Sequence, residues 1–183
     1  MSLLTKPDII SNIKWGFIRV YADDVLQTPD MLRIGPNSLD LHLHRDLRVY
    51  TRKTADAFLD VKKDNPTELR TIPRNGYILS PGVLYLGRSI ERVYTSNCIP
   101  ALDGRSTSGR LGISVHQSAG RGDVGFDGVW TMGISVVEPV RVYPEMRIAQ
   151  LWFHTMSSPL QSKDKYRGSY QGQREPTAAK ASK

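Results

Sequence analysis

Two neighbouring segments of the 183-residue chain concentrate the residue types that handle anions. The first, DGRSTSGRLG from Asp103 to Gly112, combines small hydroxyls, glycines and two arginines. Glycine lets backbone N–H groups approach a ligand closely, and arginine offers a planar fork matched to phosphate oxygens. The run reads as an anion cradle; the competing reading is a turn carrying solvated arginines. The second segment, AGRGDVGFDG from Ala119 to Gly128, sets the carboxylate of Asp123 among glycines with Phe126 nearby. Such a carboxylate can orient a water as general base, hydrogen-bond a sugar hydroxyl, or cap its own turn. His42 and His44 alternate toward one face, too few for a metal site by themselves. His116, on an apolar strand, reads as a core histidine, and Trp130, Trp152 and Phe153 as core or subunit packing.

Short strands must position these residues. Leu39, Leu41 and Leu43 alternate with Asp40, His42 and His44, the pattern of a half-buried strand. Val83 to Leu86 follows a Pro81-Gly82 turn, Val140 to Tyr143 precedes Pro144, and Ile148 to Phe153 resumes as strand. Glycine and proline punctuate these runs, which argues for an all-β barrel or jelly roll. One short helix opens the chain, with Thr5 as N-cap, Pro7 in the first turn, Asp8 reaching back, and Ile9, Ile10 and Ile13 as its apolar stripe. Residues 51–74 are polar and read as an excursion over the surface. Residues 1–156 are expected to form the barrel domain, and 157–183 a flexible C-terminal tail. Large apolar residues nearly vanish from that tail, so it cannot fold alone.

Composition narrows the function. The formal net charge of +7 favours anionic partners, and residues 161–183 hold six basic and two acidic side chains. A single cysteine, Cys98, excludes a disulfide framework and the cysteine-rich zinc sites. There is no apolar run of membrane-spanning length, and the opening MSLLTKPD lacks the pattern of a secretion signal. A cytoplasmic protein is expected. The basic tail lacks the interleaved aromatics of a single-strand binder, so nucleic acid is not the expected partner.

The order DGRSTSGRLG, Val115-His116, AGRGDVGFDGVWT and RIAQLWF from Arg147 to Phe153 resembles the dCTP deaminase branch of the dUTPase superfamily. PNSLDLHL, YILSPGVLYLG and QGQREPT resemble further family segments, so the likeness runs along nearly the whole chain. It implies a distorted jelly-roll barrel of the dUTPase type, a homotrimer with active sites between subunits, and a deoxypyrimidine triphosphate substrate (dUTP or dCTP) with Mg²⁺ on its phosphates. By the same resemblance Arg105, Ser106 and Thr107 bind phosphates, and Arg110 reaches a neighbouring subunit's site. Ala119 lies near the base, and Arg121 matches a site arginine of many deaminases. Asp123 contacts the deoxyribose or directs the attacking water, and Phe126 packs beneath the sugar. Asp40 supports the metal region indirectly, while Tyr170, Gln171 and Gln173 close over the nucleotide as a lid.

One position departs from the family. Its deaminases carry a glutamate that moves protons between water and the cytosine amino group; here Gly133 stands in that place, in the run Thr131-Met132-Gly133-Ile134. Glu138, five residues on, falls on the opposite strand face. The lone cysteine cannot supply a zinc deaminase site. The residues kept are those that phosphate chemistry needs. The leading expectation is therefore diphosphohydrolysis of dUTP, or of dCTP, to the monophosphate and pyrophosphate. Deamination of dCTP to dUTP and ammonia is the alternative, and a non-catalytic nucleotide-binding regulator is a further one.

Overall fold

The computed structural model describes residues 2–51 and 58–181. Helix α1 (Lys6–Lys14) opens the chain, with the Asp8 carboxylate accepting from the Thr5 amide at 2.9 Å and the Thr5 hydroxyl at 2.7 Å. Those bonds hold the Asp8 carboxyl below its ordinary pKa. Ile9 and Ile13 are buried beneath the helix, as its stripe predicts.

Strands follow in the order β1 (Ile18–Ala22), β2 (Val25–Leu26), β3 (Leu39–Tyr50), β4 (Thr67–Thr71), β5 (Tyr77–Leu79), β6 (Tyr85–Thr95) and β7 (Cys98–Gly104). After the short helix α2 (Ser106–Arg110) come β8 (Ile113–Ser114), β9 (Asp127–Val136), β10 (Val140–Val142) and β11 (Arg147–Thr155). The main sheet runs β2-β1-β6-β3-β11-β7, with β4 on β3 and β9 joining β6 to β8; β5 and β10 form a separate pair. All these pairings are antiparallel. The fold is all-β and jelly-roll-like, as expected, but among the described residues the hydrogen-bonded strands do not close into a continuous barrel.

Alternation builds the core. Leu39, Leu41, Leu43 and Leu47 of β3 are fully buried against Met132 and Ile134 of β9 and Ile148, Leu151 and Phe153 of β11. Each such side chain stabilises the fold by about 1.5–3 kcal/mol in area terms. Gly87 of β6 lies in this layer because a Cβ there would sit 2.8 Å from the Ile134 side chain. Cys98 is buried and its thiol is pushed up to about 12 by desolvation, which leaves it an inert packing group.

The polar excursion at 51–74 contains more structure than its composition predicts. β4 pairs along β3 from Asp46↔Thr71 to Tyr50↔Thr67, a hairpin arm whose outer face stays wet. Residues 52–57 of that excursion lie outside the described residues.

Candidate functional site

A tight turn places the central carboxylate. The Phe126 amide donates to the Asp123 carbonyl at 3.2 Å, and Gly125 adopts φ +94°, a conformation other residues rarely take. Asp123 is thereby exposed in the loop entering β9, and its carboxylate has no hydrogen-bond partner among the described residues. Of the three roles open to it, turn capping is the one this geometry leaves unfilled.

Asp123 lines a cleft of about 310 Å³. Ala119, Arg121, Phe126 and Thr131 line it from the same stretch of chain, and Tyr166, Tyr170, Gln173 and Thr177 line it from the tail. The Phe126 ring is held edge-on between Trp130, 5.9 Å away, and Tyr166, 5.8 Å away. It forms an apolar wall beside Asp123, the combination a deoxyribose ring would meet. Trp130 packs in the core and also reaches this wall. Trp130 Nε1 and Gln173 Oε1 are buried without a hydrogen-bond partner among the described residues.

The tail is seated along β9. The Gln171 side chain accepts from the Asp127 amide at 2.9 Å and donates to the Gly125 carbonyl at 2.8 Å. The Gln173 side chain donates to the Val129 carbonyl at 2.6 Å, and its own carbonyl accepts from the Val129 amide at 3.1 Å. Thr177 is bound through its amide to the Thr131 hydroxyl, 3.1 Å away. Asp127 in turn receives the Arg92 guanidinium at 2.8 Å, and Arg92 stacks 4.0 Å from the Tyr21 ring.

The other predicted residues gather elsewhere. Arg105 precedes α2, with Ser106, Thr107 and Arg110 on that helix, and none of the four lines the Asp123 cleft. β11 lies between β3 and β7, so Asp40 of β3 meets Arg105 just beyond β7. One Asp40 oxygen lies 3.3 Å from Arg105 Nε and the other 3.2 Å from an Arg147 nitrogen. Asp40 holds the cradle arginine, which leaves little of the carboxylate for a cation. Among the described residues no group of three His, Cys, Asp or Glu converges on a metal position.

Gly133 is half-buried. A Cβ there would lie 3.6 Å from Leu84 Cδ1 and 3.9 Å from Gln117 Cγ, ordinary contact distances. The Gln117 amide nitrogen sits over it, donating to the Gly133 carbonyl at 3.2 Å and to Ser135 Oγ at 3.1 Å. Sequence reasoning did not single out Gln117, Tyr166 or Thr177. For Gln117 the available signal was its position two residues before Ala119. A larger hollow of about 520 Å³ lies beyond Arg121, lined by Asp103, His116, Trp152 and His154 among others, and contains neither Asp123 nor Phe126. His116 proves half-buried, and its Nδ1 has no hydrogen-bond partner among the described residues.

His42 and His44 each lie against a carboxylate, Glu91 and Asp46, rather than together at a metal position. His42 Nδ1 lies 2.5 Å from Glu91 Oε1, and this bond raises the His42 pKa against the opposing effect of burial. His44, 3.1 Å from Asp46, is lowered by desolvation and then by the Arg88 charge.

Comparison with known proteins gives a consistent result. The family model for dCTP deaminase-like proteins matches residues 3–156. A protein of Leptospira biflexa named dCTP deaminase, dUMP-forming, is 46% identical over 142 residues, 78% of this chain and 79% of its own length. One of the same name from Cytophaga hutchinsonii is 47% identical over 135 residues, covering 74% and 76%. The crystal structure of the 2'-deoxycytidine 5'-triphosphate deaminase of Agrobacterium tumefaciens shares the fold, with TM-score 0.62 at 19% identity over 88% of this chain and half of that one. The names of the relatives overturn the leading expectation of plain dUTP diphosphohydrolysis: proteins this similar are named for deaminating dCTP.

Proposed function

The chain belongs to the dCTP deaminase-like family, and from that premise we propose that it is an enzyme converting dCTP to dUMP. The supporting observation within the molecule is one cleft that collects Asp123, the Phe126 wall, Arg121 and the tail's Gln173. The sugar lies against Phe126, where a 2'-hydroxyl would be crowded, and the base points toward Ala119, Thr131 and Gly133. Two waters are consumed. One adds to the base carbon bearing the amino group, and ammonia leaves with a proton from that water. The other adds to the α-phosphorus as its bond to the bridging oxygen breaks, and pyrophosphate leaves. Asp123 is the group that takes a proton from an attacking water.

Gly133 provides no acid or base for the first of these steps. Proton transfer at the amino group falls to water in the space above it. Such a loss slows a step by about 10²–10⁴-fold, so deamination limits the overall rate.

The phosphates require a second copy of the chain. Arg105, Ser106, Thr107 and Arg110 lie away from the cleft of their own chain, which fits a homotrimer whose cradles serve neighbouring clefts. Mg²⁺ fits only as an ion carried on the triphosphate and its waters, because Asp40 is taken up by two arginines. When bound there it neutralises charge on the departing pyrophosphate.

Incubating the purified protein with dCTP and Mg²⁺ and separating the products tests this reading. Equal amounts of dUMP, ammonia and pyrophosphate are expected, released slowly. Formation of dCMP without ammonia, or tight binding with no turnover at high enzyme concentration, would contradict it; the second outcome describes a nucleotide-binding regulator.

A further inference from the structure

One polar side chain beside the cleft is fixed in a single orientation. The nitrogen of the Gln117 carboxamide donates to the Gly133 carbonyl and to Ser135 Oγ, which uses both of its hydrogens. The opposite amide orientation is disfavoured, because it would set the Gln117 oxygen against the Gly133 carbonyl, an acceptor facing an acceptor. Gln117 Oε1 is therefore left as a pure acceptor on an exposed side chain. Thr131, Gly133 and Ser135 share one face of β9 by strand alternation. Thr131 lines the cleft, and so does Ala119, two residues beyond Gln117. The Gln117 side chain lies beside Gly133, its Cγ 3.9 Å from where a Cβ would stand.

We propose that Gln117 selects the base. Its Oε1 accepts a hydrogen bond from the exocyclic amino group of cytosine. With no hydrogen left to donate, it opposes the carbonyl that uracil presents at the same position. The preference is set by a tethered amide, as Gly133 and Ser135 prevent the rotation that would let a free glutamine bind either base. This rests on the reading of the cleft as a dCTP site.

Titration calorimetry of the full-length protein with α,β-imido analogues of dCTP and dUTP tests it. Wild type is expected to bind the dCTP analogue about tenfold or more tighter, since a site built to pair a polar group penalises the mismatched base. Gln117→Leu removes the acceptor at similar size and should bring the two affinities within about twofold of each other. Gln117→Glu also loses the tether, because a carboxylate oxygen would face the Gly133 carbonyl, so its preference should fall as well. A leucine variant that retains the wild-type ratio, or a wild type without preference, overturns base selection by Gln117 while leaving the site reading intact. A wild type that binds neither analogue overturns both.

Discussion

The first carbon of a side chain at position 133 would meet only ordinary contacts. A Cβ on Gly133 would lie 3.6 Å from Leu84 Cδ1 and 3.9 Å from Gln117 Cγ, so a side chain can start there without a clash. Gly133→Glu is expected to raise ammonia release from dCTP by about 10²–10⁴-fold, the usual worth of a positioned acid/base. An unchanged rate in a folded variant would show that the glycine is not what limits deamination. Asp123 is the complementary case. Its carboxylate is free in the cleft, so Asp123→Asn should preserve the fold and much of the nucleotide affinity. Pyrophosphate release should fall by about 10²–10⁴-fold, measured in single-turnover assays. Retained turnover would assign the proton transfer to another group.

Among the elements, β3 and β6 are joined by a titrating pair. Glu91 is 5% exposed, and its carboxylate accepts from both the His42 ring and the His42 amide. A histidine whose folded pKa stands above its ordinary 6.5 binds its proton more tightly in the native state. The stability this contributes is complete below 6.5 and is lost as pH rises through the raised folded value. His44, with its pKa lowered by burial, acts in the opposite sense. The melting-temperature difference between wild type and Glu91→Gln, followed from about pH 6 to about pH 9, should be largest at the acidic end. A difference that stays constant would remove the linkage. This strand pair also shows how much of the fold was legible. Leu39, Leu41 and Leu43 announce β3 by alternation, and all three are fully buried. β4 does not announce itself, because Thr67 to Thr71 holds one large apolar residue, Leu69, which stays exposed, and the strand pairs along the ladder that β3 offers. The cleft was legible in part for a similar reason. Asp123 and Phe126 lie close together in a turn whose glycine is visible in sequence, whereas Tyr166 and Thr177 belong to a tail without periodicity. Their place depends on docking across β9.

At the scale of the whole molecule, the separation of the Arg105–Arg110 cradle from the Asp123 cleft is the feature that demands explanation. Among the described residues the cleft collects Asp123, Phe126 and residues of the tail, and a separate segment holds Arg105, Ser106, Thr107 and Arg110. In the proposed closed symmetric trimer each chain would give its cradle to one neighbour and receive one from the other. Arg110, exposed at the end of α2, is suited to crossing such an interface. Arg110→Ala and Asp123→Ala should each abolish turnover as pure proteins. Co-expressed in equal amounts they should regain about a quarter of wild-type activity, because a mixed trimer rebuilds one intact site in three. Sedimentation of the mixture should show a single trimeric species. If cradle and cleft served the same chain, every chain in the mixture would carry one defect and no activity would return, and the trimeric assignment of the phosphate site would fail with it.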